Sequence, residues 1–188
     1  MSKKGYREKR DEYYKSYFKE LQKEIKSIST SQIIYRFLKE IKEIKELMED
    51  IFDTPFWECF LEDNAIEKCL SKKETFVLFE IKNMPCGLAL VSDIQESNKR
   101  EIYNLDVEDE LFLRGNGLGE KIVKLLKEKI YPSENLYGYA VSESAKFWSR
   151  QASSYDHKVF NSMKEEHIQN GGKEDELFES EGLMYFSL

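Results

Sequence analysis

The chain has 188 residues, 40% of them hydrophobic, which is enough for one domain that buries roughly 70% of its unfolded surface. Its formal net charge of −7 argues against a general nucleic-acid binder. Every apolar run is broken by charge well short of the roughly 20 residues that a membrane span requires.

The basic residues Lys3, Lys4, Arg7, Lys9 and Arg10 lead into a charged helix and not into the apolar stretch of a signal peptide. Tyr14, Tyr17, Phe18, Leu21, Ile25 and Ile28 recur every three or four residues, which predicts one amphipathic helix. Ser29-Thr30-Ser31 then offers capping hydroxyls for a second helix, with Ile33, Ile34, Phe37, Leu38, Ile41, Ile44, Leu47, Met48 and Ile51 as its apolar face. Asp53-Thr54-Pro55 stops and restarts the chain, and Phe56, Trp57, Phe60 and Leu61 give a third helix its apolar side. The cysteines Cys59, Cys69 and Cys86 lack C-x-x-C spacing, and neither His157 nor His167 lies near one. No zinc pattern results, and reduced thiols in a cytoplasmic protein are expected.

Three strands come next. Glu74 to Ile81 alternates and is broken at Asn83-Met84-Pro85. Cys86 to Ile94 resumes it as an antiparallel partner, Gln95 to Lys99 turns, and Arg100 to Val107 forms the third strand. Leu113-Arg114-Gly115-Asn116-Gly117-Leu118-Gly119-Glu120 joins that strand to a helix whose buried face is Ile122, Val123, Leu125, Leu126 and Ile130. Tyr131-Pro132-Ser133 ends the helix, and Asn135 to Val141 supplies a further strand. A short helix carries Ala145, Phe147 and Trp148. Asp156 to Gln169 reads as an inserted helix stopped by Gly171-Gly172, and Gly182 to Leu188 as the last strand.

The alternating glycines sit where a helix begins, so backbone N–H groups and the positive end of the helix dipole are open to a phosphate. The P-loop pattern is excluded, because no Lys-Ser or Lys-Thr follows the glycines. The dinucleotide pattern G-x-G-x-x-G also fits poorly, since Gly115, Gly117 and Gly119 fall at every second position. What remains is R-x-x-G-x-G, met by Arg114, Gly117 and Gly119. This resembles the coenzyme A pyrophosphate motif of the GNAT superfamily of acyl-CoA N-acyltransferases. From Glu74 to the C-terminus the order of elements is similar to that family's as well, and Ser144-Ala145-Lys146-Phe147-Trp148 looks like its short helix.

The resemblance implies an α/β (α+β) fold with a mixed, mostly antiparallel sheet flanked by helices. Residues 53–188 form the acyl-CoA-binding domain on this reading, and residues 1–52 are an extra helical extension that replaces the family's first strand. That extension is expected to cover the sheet, with a homodimer contact as its other use. The implied cofactor is acetyl-CoA, held by Val107, Arg114, Gly115, Asn116, Gly117, Leu118, Gly119 and Trp148. The implied acceptor is a primary amine on a small molecule or a protein.

Acyl transfer to an amine needs a base, an N–H donor at the carbonyl and an acid for the departing thiolate. The family likeness points to Glu101 as base and to backbone N–H near Val107 as donor, while Asp106, two residues from Asn104 on the same strand face, is the second candidate base. Trp148 stands where related sequences carry a tyrosine acid, and an indole is no useful proton donor to a thiolate. Tyr155, about two turns on if the helix continues, and Tyr139 are the substitutes, with solvent as the other source of the proton. The alternative is a catalytically degenerate module that keeps the cofactor loop and binds a protein through its helical arm.

Overall fold

The computed structural model describes residues 8, 25–52, 54–61, 64–92, 98–107, 116–140, 142–156, 169 and 184–188. Among these, seven strands form one sheet in the order β1-β2-β3-β4-β5-β7-β6. They are β1 (Ile33–Leu38), β2 (Thr75–Ile81), β3 (Met84–Val91), β4 (Lys99–Val107), β5 (Asn135–Ala140), β6 (Ser154–Asp156) and β7 (Met184–Ser187). Every neighbouring pair is antiparallel except β4 and β5, which run parallel.

Helices α1 (Ile41–Asp50), α2 (Pro55–Leu61) and α3 (Ala65–Ser71) pack on one face, where Ile44, Leu47, Trp57 and Ile66 meet Phe76, Leu78, Leu88 and Leu90. Helix α4 (Leu118–Leu125), its π-helical continuation Leu126–Ile130, and α5 (Ser142–Gln151) pack on the other. There Ile122, Leu126 and Trp148 meet Val77, Phe79, Ala89 and Ile102. With both faces covered, every second residue of β2 serves a different core, which is why Phe76-Val77-Leu78-Phe79 is an unbroken apolar run.

The expected three-stranded meander is present, with the turn moved. Lys82 and Asn83 both take positive φ, 52° and 64°, the geometry of a tight two-residue hairpin turn, so Met84 and Pro85 already belong to β3. The N-terminal reading needs a larger correction. Ile33–Leu38 is not the start of a helix but strand β1, paired in register with β2 from Ile33 opposite Ile81 to Leu38 opposite Phe76. The first strand that the sequence reading found missing is therefore in place, and the sheet draws strands from both sides of residue 52. Thr30–Gln32 is a 3₁₀ turn, and helix begins only at Ile41. Helix α3 was not anticipated.

A further correction concerns the C-terminal part. Helix α5 ends at Gln151, and Tyr155 lies on edge strand β6 opposite Phe186, not on a continuing helix. Asp156 closes that strand, so the inserted helix does not begin there. Residues 157–168 and the Gly171-Gly172 stop lie outside the described residues, as do residues 14–24 of the predicted helix from Tyr14 to Ile28. No helix among the described residues is long and apolar enough to cross a membrane.

Candidate active site

Strands β4 and β5 are held together at one end only. Asn135 N–H donates to the carbonyl of Asn98 at 2.8 Å. Register pairing then runs from Lys99 opposite Asn135 to Ile102 opposite Gly138. The approach at Gly138 is very close. A Cβ there would stand 2.8 Å from the Ile102 carbonyl oxygen and 2.7 Å from Cζ of Phe186. Beyond this point β5 pairs with β7 only, and Tyr103–Val107 of β4 has no β5 partner among the described residues. A bulge marks the parting. Val91 opposes Ile102 and Leu90 opposes Asn104, so Tyr103 is the extra residue and β4 twists as it leaves β5.

Helix α4 begins at the open end of this parting. Gly117 caps it in the left-handed conformation, φ 75°, which a residue with a side chain adopts only under strain. Leu118 is buried and anchors the first turn in the core. The first intrahelical bond runs from Lys121 N–H to the Gly117 carbonyl, so the amides of Leu118, Gly119 and Glu120 precede the helical ladder. A Cβ on Gly119 would meet the Phe147 ring at 3.1 Å and lie 3.7 Å from Cγ2 of Val107, which fixes the helix start between the end of β4 and α5. A Cβ on Gly117 meets nothing within 4 Å among the described residues. Free amides, the positive helix end and open space over Gly117 fit a diphosphate. Asn116 sits in the turn just before, half-buried, while Arg114 and Gly115 lie outside the described residues.

Glu101 sits on the paired stretch of β4, one position before the strands part. Its main chain is fixed from the β3 side, where Glu101 N–H donates to Oγ of buried Ser92 at 2.8 Å and Ser92 N–H donates to the Glu101 carbonyl at 2.9 Å. Its carboxylate accepts a hydrogen bond from the Tyr137 hydroxyl on β5 at 3.4 Å. Burial pushes the Glu101 carboxyl above the ordinary carboxylate range, Tyr137 opposes that shift, and the Glu74 carboxylate adds to it. Tyr137 is itself pushed up to about 12 by burial and by the charge of Glu101. Tyr103 is raised too, by burial first and then by Glu74 and Glu101. Tyr139 packs edge-on against Tyr137, with ring centroids 6.3 Å apart. A carboxylate with elevated basicity, set among phenols at the point where two strands part, is suited to taking a proton from an ammonium ion.

The structure separates the two base candidates. Asp106 lies five positions along β4, roughly 15 Å away at strand rise, opposite Leu88. Its Oδ2 accepts from the Thr54 hydroxyl at 3.0 Å and from the Asn104 side-chain amide at 3.3 Å, so it ties the start of α2 to β4. Trp148 is 7% exposed, and its indole stacks on Phe186 at 4.1 Å with the planes 10° apart. Its neighbour Phe147 is the residue that reaches Gly119. Tyr137, Tyr103, Phe147 and Thr54 were all missed from the sequence. Alternation would have put Tyr137 and Glu101 on sheet faces, but only the parallel register between β4 and β5 makes them neighbours.

No family sequence model matches the chain, and no curated protein matches it. Solved structures do. A Desulfovibrio desulfuricans protein assigned to the GNAT family of acetyltransferases aligns with TM-score 0.50 and 14% identity, over 68% of this chain and 90% of its own. N-acetylglutamate synthase from Neisseria gonorrhoeae, solved with coenzyme A and N-acetylglutamate, aligns with TM-score 0.52 and 16% identity over 83% of this chain. This chain covers 35% of the synthase's length. The same synthase with coenzyme A and L-arginine gives TM-score 0.52 at 13% identity. With one parallel strand pair in an otherwise antiparallel sheet and a glycine-started helix between its two strands, the chain has the fold of the GNAT acetyltransferases.

Proposed function

We propose that this chain is an acyl-CoA-dependent N-acetyltransferase that transfers an acetyl group to a primary amine, with Glu101 as general base. The observation that carries the reading is the one-ended pairing of β4 and β5 beside the Gly117-capped start of α4. It leaves a strand edge and a set of helix amides open next to each other. Acetyl-coenzyme A, when bound, supplies the acyl group as a thioester and leaves as the free thiol. Gly117, Leu118 and Gly119 hold its diphosphate through backbone N–H, with Asn116, Arg114 and Gly115 in the preceding turn. The β4 edge from Tyr103 to Val107 offers main-chain donors for the carbonyl.

Glu101 takes the proton from the incoming ammonium, which converts the acceptor to a nucleophile. Burial and the charge of Glu74 strengthen it as a base, and the two carboxylates draw a cation to the site. Tyr139 on β5 and Tyr155 on β6 are the phenols assigned to protonate the departing thiolate. The acceptor is an amine on a small molecule or a protein.

The test is release of free thiol from acetyl-CoA in the presence of a panel of small amines and amine-bearing peptides. Turnover with at least one acceptor is expected, with a loss of about 100-fold in kcat for Glu101→Gln. Cofactor binding without thiol release across the panel would instead support a binding module. No cofactor binding at all would overturn the proposal.

A further inference from the structure

The pairing of Glu101 with Tyr137 has a consequence for how the base is kept ready. We propose that Tyr137 is a positioning residue for Glu101: its hydroxyl holds one carboxylate oxygen from the neighbouring strand and keeps the carboxylate in its proton-accepting form. The inference rests on the assignment of Glu101 as base made above.

The geometry supplies the argument. Glu101 and Tyr137 are register partners on the only parallel strand pair in the described sheet, one position before the strands part. The Glu101 backbone cannot swing away, because Ser92 grips its N–H and its carbonyl from β3. Ser92 is itself fixed, since its carbonyl accepts from Nη1 of Arg100 at 3.0 Å. The side chain is therefore the part left to be placed, and the Tyr137 hydroxyl bonds Oε2 at 3.4 Å.

The groups around the pair push the other way. Glu74, just before β2, repels the ionised form of Glu101, and burial disfavours it further. Tyr103 lies on the same strand, Tyr139 sits beside Tyr137, and Cys69 on α3 senses both Glu74 and the opposing charge of Lys72 just past that helix. Among these influences on Glu101, the hydrogen bond from Tyr137 is the one that favours the charged carboxylate. Tyr137 does not give up its own proton in doing so. Its ionisation is pushed up to about 12, so it remains a donor throughout the range in which an amine acceptor is used.

The experiment is Tyr137→Phe in the full chain, which keeps the ring and removes the hydroxyl. The Glu101 carboxyl is followed by NMR in protein carrying 13C-labelled glutamate, with Glu101→Gln used to assign the signal. The expected result is titration at higher pH in Tyr137→Phe than in the unaltered chain. Titration at the same or a lower pH would overturn the proposal. Turnover gives an independent reading. The acidic limb of kcat/KM for Tyr137→Phe moves to higher pH, with a loss of about threefold or more at the low end. KM for acetyl-CoA stays within about twofold, because the hydroxyl lies away from the cradle. If Glu101→Gln keeps full turnover, the base assignment fails while the NMR comparison still decides what Tyr137 does. If Tyr137→Phe does not fold, the unaltered chain decides: the Tyr137 ζ-carbon in 13C-tyrosine protein must shift as Glu101 titrates, and a flat trace overturns the proposal.

Discussion

Glu101 illustrates how a single side chain can be set against the stability of the fold that holds it. Its carboxyl is raised above the ordinary range, chiefly by burial, so the folded state binds a proton more readily than the unfolded chain does. Stability at this position is therefore fullest below the ordinary carboxylate pKa and declines as pH rises through the folded value. Replacing Glu101 with glutamine removes the half-buried charge and keeps an acceptor for Tyr137. The expected outcome is a higher melting temperature for Glu101→Gln at neutral pH, with the gain vanishing near pH ~3, where Glu101 is protonated in both the folded and the unfolded chain. Thermal unfolding at the two pH values checks this, and an unchanged or lower melting temperature at neutral pH would contradict it. At this scale the sequence put forward two carboxylates, Glu101 and Asp106, but not what surrounds either. Tyr137 lies 36 residues away, and nothing in the spacing of either residue predicts a contact made only by strand register. Trp148 shows the same limit: its place in the short helix was readable, its stacking on Phe186 was not.

Elements were legible where one period dominated. The runs Phe76-Val77-Leu78-Phe79 and Leu88 to Val91 fit a strand buried on both faces, and Ile122, Val123, Leu125 and Leu126 fit only a helix. Ile33-Ile34-Tyr35-Arg36-Phe37-Leu38 satisfied both periods. Apolar residues at Ile33, Ile34, Phe37 and Leu38 match a helical face, so the run was joined to the true helix at Ile41. What decides the matter is non-local: β2 offers an edge, and Arg36 reaches Glu80 at 3.1 Å and Glu43 at 2.6 Å across the join. Two glycines separate local strain from steric fit and give paired predictions. Gly117→Ala faces open space, so its effect is the left-handed backbone alone, about 1 kcal/mol of destabilisation. Gly138→Ala places a methyl against the Ile102 carbonyl and Phe186, and a backbone oxygen in a sheet cannot yield. About 3 kcal/mol is expected there, with β4, β5 and β7 all disturbed. Denaturant midpoints for the two variants check the order, and an equal or reversed order would contradict the close packing described at the parting.

At the scale of the whole molecule, the sheet has a core on each face, and β4 and β5 part between them. The core under α1, α2 and α3 carries Glu101's side of the sheet, reached by Cys69 and Glu74. The core under α4 and α5 carries Leu118 and Trp148 and fixes the helix start. A carrier clasped at the start of α4 and laid along the free edge of β4 thus touches elements that belong to both cores, and its binding must be felt by the global unfolding equilibrium. With acetyl-CoA or coenzyme A at 100 times its dissociation constant, stabilisation of about 2.7 kcal/mol is expected, a rise in melting temperature of roughly 5–10 °C for a domain of this size. Gly117→Glu is the control that assigns the effect to the cradle. The side chain enters the open space over the helix start and sets a carboxylate where the proposed diphosphate site lies, so the rise should disappear while the unliganded variant, destabilised by its left-handed backbone, still unfolds cooperatively. A full rise in Gly117→Glu would move the cofactor site away from α4. No rise in the unaltered chain would leave the fold without the ligand its geometry fits.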